Sequence, residues 1–282
     1  MKIEKYFFCL LIILLSTGVI SSQEKKTYLA RYMVVRSAPA FTLEMNLHYN
    51  QSIFELSGAY NDDFNSSQVL SGETFGADKG FGGSVTGKIS LSPRGRMRGV
   101  FSLGFNNIKT YLFGKKLTLA DNGESKFNVF TAGIGLEHCF TPNHNFKVYV
   151  GAEITSSMIS GKSHIWVQNP LGTPYEFDLK YKNSFRLGYS VSAGTEYLMS
   201  NSFGLNIGFK FNHNNAFFKQ EADVTSVAGI PNETYEIALP DGAPVTNTQN
   251  FINGKKGFGY ISIMAGAVLY FGITEKRYNI TR

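Results

Sequence analysis

The last hydrophobic run, Gly257 to Gly272 (GFGYISIMAGAVLYFG), limits what this chain can fold into more than any other stretch. Its odd positions Ile261, Ile263, Ala265, Ala267, Leu269 and Phe271 are all apolar. Its even positions mix Tyr260, Ser262, Gly266 and Tyr270 with Met264 and Val268. A period of two belongs to a β-strand whose two faces meet different surroundings. At about 3.3 Å per residue the run can cross a bilayer even when tilted. Small residues, glycines and a closing aromatic pair do not suit a transmembrane helix. A strand cannot span lipid alone, because its open edges would leave backbone groups without partners, so the pattern calls for a closed barrel.

Upstream segments repeat the pattern. Phe41 to Tyr49 sets Phe41, Leu43, Met45, Leu47 and Tyr49 against Thr42, Glu44, Asn46 and His48. Phe81 to Leu91, Met97 to Tyr111 and Phe127 to Phe140 carry outward sets such as Phe101, Leu103 and Phe105, with Lys88, Arg98 and Glu137 inward. The strand after Asn145 opposes Val148, Val150, Ala152 and Ile154 to Lys147, Tyr149, Gly151, Glu153 and Thr155. Phe185 to Leu198 and the strand from Phe203 follow, with Arg186, Glu196 and Lys210 inward. Short links such as Ser92-Pro93-Arg94-Gly95-Arg96, Thr141-Pro142-Asn143-His144-Asn145 and Ser200-Asn201-Ser202 alternate with long ones. Two alternating arms within Ser160 to Asn183 predict a hairpin projecting beyond the barrel. The expected fold is all-β: an antiparallel up-and-down transmembrane β-barrel over residues 41–272. It has eight strands, or ten if Ile53 to Tyr60 adds a hairpin; even counts with short periplasmic turns and long outer loops are the bacterial rule.

The N-terminus reads as a secretory signal peptide over residues 1–22. Lys2 and Lys5 precede the apolar run Tyr6 to Leu15, and small residues follow at Val19, Ser21 and Ser22. Residues 23–40 form a polar periplasmic lead, and residues 273–282 a short C-terminal tail. A mean hydropathy of −0.10 excludes a helical membrane protein and fits strands whose faces cancel. The net charge of +6 is spread out, with no basic stripe, so no nucleic-acid partner is expected. Cys139 alone survives signal cleavage, so no internal disulfide supports the fold.

These features resemble the small outer-membrane β-barrels of the outer membrane protein A and outer membrane protein X type. The stretch Met264 to Phe271 is similar to their terminal assembly signal, with Gly266, Leu269 and Phe271 in the glycine, hydrophobic and aromatic places. It differs in having Met264 where a polar residue is usual, and in the tail beyond the aromatic. The resemblance implies the outer membrane of a Gram-negative-type bacterium, with its lipid bilayer and the barrel-insertion machinery as partners.

The inward face offers Glu44, Glu137, Glu153 and Glu196 against Lys88, Arg98, Lys147, Arg186 and Lys210. Opposite charges paired across strands are the expected filling of a narrow barrel interior. Turn lengths place Glu137 nearly opposite Lys147, and Glu196 within reach of Lys210. The same charges could instead line a gated ion path.

Enzymatic barrels of the lipase or deacylase kind carry a His-x-Ser spacing that none of the five histidines shows. A rim protease needs Asp and His together, and Asp62-Asp63, His164, His213 and Asp241 fall near the expected rim. No metal-ligand or cofactor spacing is present. Aromatics at strand ends suit interfacial girdles. The loop aromatics Trp166, Tyr175, Phe177, Phe217 and Phe218 either pack their own hairpins or form a contact surface for an external ligand or partner. The first functional reading is a non-enzymatic barrel with a salt-bridged lumen, contributing to envelope integrity or surface interaction through its loops. The second is a narrow porin-like channel for small solutes or ions. The third is an envelope lipid-modifying enzyme or protease.

Overall fold

A computed structural model describes residues 32–57, 69, 74–113, 123–167, 174–219, 234–239, 241 and 256–279. The expected signal peptide, the first part of the lead, Asp62-Asp63 and residues 58–60 lie outside the described residues. The strands are β1 (Tyr32–Arg36), β2 (Phe41–Ile53), β3 (Lys79–Ser90), β4 (Met97–Lys109), β5 (Gly123–Cys139), β6 (Phe146–Val167), β7 (Tyr175–Leu198), β8 (Phe203–Phe217), β9 (Thr234–Ile237), β10 (Gly259–Phe271) and β11 (Glu275–Asn279).

Strands β2 to β8 and β10 pair antiparallel in sequence order, and β10 closes the ring on β2. The count is therefore eight. The segment that could have made it ten instead forms, over its described residues, one turn of 3-10 helix, Phe54–Leu56, with Phe54 at φ 55°. Following the register once around, Phe41 leads through Ile89, Gly99, Leu136, Ala152, Val191, Phe211 and Ile261 to Gln51. The circuit thus returns ten residues further along β2, from 41 to 51, and this stagger tilts the strands and sets the barrel's width. Two register shifts interrupt the ladder, at Ile159/Gly161 in β6 and at Leu187/Tyr189 in β7.

The three tight links and the Phe41–Phe271 end lie at one end of the barrel, the long connections at the other. Strands β6 and β7, with 22 and 24 residues, outrun the 13-residue β2, β4 and β10. At about 3.3 Å per residue β7 runs nearly 80 Å. The expected hairpin is thus an unbroken continuation of two barrel strands, with β9 added parallel to β7 at Asp178 to Tyr181.

Alternation decides which way each side chain faces. Leu47, Phe101, Ile134, Ile154, Phe185 and Phe209 are exposed on the outside, while Glu44, Lys88, Arg98, Glu137 and Glu196 are buried inside. A soluble protein with this surface would aggregate; an apolar outer belt on a closed antiparallel sheet is the form of a membrane-spanning barrel. Separately, β1 and β11 pair as a two-stranded sheet, so residues 275–279 of the expected tail are a strand.

Candidate functional site: a lumen closed in three layers

The lowest layer, toward the tight turns, is ionic. Lys88 Nζ on β3 reaches Glu137 Oε2 on β5 at 2.8 Å, Glu196 Oε1 on β7 at 3.0 Å, and Glu44 on β2. Arg98 on β4 adds Glu196 Oε1 at 2.8 Å and also Glu137. None of the five side chains is more than 3% exposed. Five strands therefore converge on one cluster in which each carboxylate meets at least one cation. Tyr270 Oη donates to Glu196 Oε2 at 3.1 Å. Lys88 Nζ sits 4.1 Å from the centre of the Tyr149 ring, whose hydroxyl donates to Asn206 Oδ1 at 3.0 Å. Bringing these ions out of water is costly, and only the mutual pairing and added hydrogen bonds offset it.

Just above, Lys210 Nζ meets Glu153 Oε1 at 2.7 Å, and Ser102 Oγ also donates to Glu153. A cavity of about 20 Å³ lies between these charges and the cluster below. That is room for a single water molecule.

The middle layer is made of amides. Asn206 Nδ2 donates to Asn46 Oδ1 at 3.0 Å, and Asn50 Nδ2 to Asn106 Oδ1 at 2.9 Å. Ser262 Oγ donates to Asn50 Oδ1 at 2.7 Å, and Asn106 Nδ2 to Tyr260 Oη at 3.0 Å. His48 Nε2 lies 2.9 Å from Ser84 Oγ. The groups tie β2 to β3, β4, β8 and β10, and β4 to β10, within the lumen.

The top layer is apolar. Phe127, Ile108, Ile159, Ile165, Phe177, Leu179, Tyr181 and Tyr260 turn inward from the strands, and Leu56, Phe75, Leu239 and Phe258 reach in from the connections. Phe127 meets Phe75 at 5.7 Å, Phe258 at 5.5 Å and Tyr181 at 5.1 Å between ring centres. One ion pair pins the lid. Arg186 grips Asp241 through Nε–Oδ2 at 2.6 Å and Nη2–Oδ1 at 2.9 Å, both side chains fully buried. Asn215 Nδ2 donates to Asp241 Oδ2 at 3.0 Å and to the Lys256 carbonyl at 2.8 Å, and its Oδ1 accepts from Phe258 N at 2.6 Å.

All nine charges expected inside do face inward, but their partners differ from those the turn lengths suggested. The register sets Cys139 against Tyr149, which places Glu137 opposite Gly151, four residues beyond Lys147. Lys147 Nζ instead donates to the His144 carbonyl at 2.6 Å and lies 5.6 Å from the Tyr270 ring centre. Glu196 faces Asn206, and Lys210 faces Ser192, so that pair is also separated by four residues. Arg186 belongs to the mouth and takes Asp241, which the sequence placed only near the rim. Nothing short of the folded loop signals that partnership.

Gly266, Leu269 and Phe271 lie on the last strand. Gly266 lies opposite Asn46 on β2, and a Cβ there would collide with the Met45 carbonyl. Phe271 rests on Phe41 at 5.6 Å, and Gly272, at φ 80°, ends the strand. Of the loop aromatics, Phe177 is buried in the mouth and Tyr175 stacks on it at 6.4 Å, because the bulge at Lys182 and Asn183 shifts the phase of β7 and turns Phe177 inward. Phe218, at φ 54°, is 83% exposed, and Phe217 packs outside on Tyr189 at 6.3 Å.

The rim histidines do not form a catalytic set. His164 Nδ1 lies 2.9 Å from Asp178 Oδ1, while Trp166 Nε1 donates to His164 Nε2 at 2.6 Å. Both ring nitrogens of His164 are thus engaged, by Asp178 and by Trp166. His213 packs among Phe54 and Tyr189, at 4.8 Å and 5.6 Å, and Asp241 is held by Arg186.

No protein-family model matches the chain, and no curated protein matches it. Among solved structures it is similar to Neisserial surface protein A, with 14% identity over 83% of this chain and 99% of that one, at a TM-score of 0.43. It is similar to the outer membrane protein OprG from Pseudomonas aeruginosa, with 10% identity over 83% and 98%, at a TM-score of 0.42. It is also similar to Ail, the attachment invasion locus protein of Yersinia pestis, with 9% identity over 86% and 99%, at a TM-score of 0.37.

Proposed function

We propose that this chain is an outer-membrane β-barrel that stands in the lipid with its lumen sealed, serving envelope integrity and surface interaction, neither as an enzyme nor as an open pore. The observation that carries this reading is the filled lumen: ions, amides and an apolar lid stacked along one axis. Residues 1–22 direct export, residues 23–40 are the lead, residues 41–272 form the barrel, whose lower part spans the membrane, and residues 273–282 are a short tail. The insertion machinery reads Gly266, Leu269 and Phe271. The projecting β6–β7 hairpin, with Trp166 exposed in part at its upper end and Phe217 and Phe218 near the rim, is the surface offered to partners.

Single-channel recording of the folded protein in a planar bilayer tests the reading, with folding checked by heat-dependent gel mobility. A silent bilayer is expected. Discrete, reproducible conductance steps would overturn the sealed lumen in favour of a narrow channel for small solutes or ions.

A further inference from the structure

The register aligns five lysines that are scattered over a hundred residues of sequence. Lys79 on β3 faces Lys109 on β4, which faces Lys126 on β5, then Lys162 on β6, then Lys180 on β7. All five stand on the outer face. Like charges directly opposite one another on neighbouring strands are destabilising, and here four such pairings follow in a row. The row therefore does nothing for the sheet by itself, and an anion is needed to make it favourable.

The ends of the row have internal partners. Lys79 meets Asp78 at 3.1 Å, Lys162 meets Asp178 at 2.8 Å, and Lys180 meets Glu236 at 2.5 Å. Lys109 and Lys126, in the centre and opposite each other, have no carboxylate within ion-pair distance among the described residues. Two ammonium groups on adjacent strands, with Cβ atoms about 5 Å apart, suit a tetrahedral anion held between them.

What lies below the row identifies the occupant. Two residues down each strand runs a row of Tyr49, Phe81, Asn107, Asn128 and Ser160, in which Asn107 Nδ2 donates to Asn128 Oδ1 at 2.6 Å. Two residues further down comes the apolar row of Leu47, Phe105, Phe130, Met158 and Phe185. Apolar belt, amide collar, then cations is the order acyl chain, ester zone, phosphate. Because the barrel stagger is ten residues over eight strands, the row climbs by little over one residue per strand. Lys109 and Lys126 thus stand just above the collar, while Lys162 and Lys180 rise onto the hairpin.

We propose that Lys109 and Lys126, flanked by Lys79 and Lys162, bind the phosphate of anionic lipid headgroups in the leaflet around the long-loop end of the barrel. The proposal rests on the membrane-spanning reading above. Charge next to a bilayer surface is worth about fivefold in anionic-lipid affinity per lysine, so losing two weakens the site roughly 25-fold.

The test is titration of the full, detergent-folded protein with a short-chain phosphatidylglycerol, with lipid adducts read by native mass spectrometry. Lys109→Gln with Lys126→Gln should weaken the tightest site about 25-fold. Lys109→Arg with Lys126→Arg should keep it, and Arg94→Gln with Arg96→Gln at the opposite rim should leave it unchanged. Undiminished binding in the glutamine pair, equal loss in the opposite-rim pair, or equal loss in the arginine pair would each overturn the site. So would phosphatidylcholine or inorganic phosphate binding as tightly as phosphatidylglycerol. A wild-type protein that shows no heat-dependent mobility shift would instead overturn the barrel reading, and this inference with it.

Discussion

Strand β5 changes character half-way along, and the contrast between its two halves explains the molecule. In the lower half the outward residues are Leu136, Ile134, Ala132 and Phe130, and the inward ones include Glu137 and Thr131. In the upper half the outward residues are Asn128, Lys126 and Glu124, and the inward ones are Val129, Phe127 and Ser125. Strand β7 does the same, from outward Phe185 and inward Arg186 to outward Lys180 and Asp178 and inward Tyr181, Leu179 and Phe177. In β5 the alternation continues while its polarity inverts; in β7 a bulge at Lys182 and Asn183 also shifts the phase by one residue. Below the change the wall stands in lipid and must be apolar outside, so polar groups satisfy one another within. Above it the wall stands in water, and the apolar side chains take the interior, as in a soluble protein.

The two regions are closed differently as a result. The floor draws every charge from the strands themselves and is held by mutual ion pairing. The mouth needs Leu56, Phe75, Leu239, Asp241 and Phe258 from the connections to complete it.

Lys88→Met should be the most damaging change, because three buried carboxylates would be left facing Arg98. A loss of about 5 kcal/mol is expected in urea unfolding from vesicles, the upper end for breaking a buried pair. Unchanged stability would mean the floor cluster is not ionised as drawn. Asp241→Asn strands Arg186 in the mouth and should cost about 4 kcal/mol there. Amide exchange should rise in the upper parts of β6 and β7 while the floor strands stay protected; a uniform rise would erase the distinction between the regions.

Ile134→Lys probes the outer face of the lower half of β5 and should cost about 3 kcal/mol, against little for Lys126→Leu above the change. Equal effects, read from the same unfolding midpoints, would place both residues in one medium. Lys147→Gln removes one hydrogen bond, to the His144 carbonyl, and should lower the thermal midpoint by no more than about 1 kcal/mol equivalent. A loss as large as that for Lys88→Met would restore Lys147 to the ionic cluster.

The smallest effect concerns pH at the hairpin. Partial burial pushes the Asp178 carboxyl up, but hydrogen bonds from Lys162 and His164 outweigh it and hold the carboxyl below its usual value. A depressed carboxylate stabilises the fold above the ordinary carboxylate range, and that contribution is lost as pH falls through the lower folded value. For a solvent-accessible pair it amounts to a few tenths of a kcal/mol. Amide exchange across residues 162–180 should quicken on acidification below that range, and Asp178→Asn should remove the dependence.

The eight barrel strands, the inward direction of nine charges and the projecting hairpin are all legible in the residues, because a period of two is a local signal, whereas β1, β9 and β11 are not. Glu44 and Met45 face opposite ways whatever the rest of the chain does. Pairing is another matter. The Glu137–Lys147 and Glu196–Lys210 pairs fail because each turn sets a stagger that displaces the partners by four residues, about 13 Å along a strand. Arg186 finds Asp241 only once a connection folds back into the mouth, and the lysine row exists only once five strands are laid side by side. Alternation settles which face a side chain joins wherever no bulge shifts its phase, as one does at Lys182 and Asn183. Which side chains meet is decided by the stagger of the closed sheet and by the connections that cap it, and both are properties of the whole barrel.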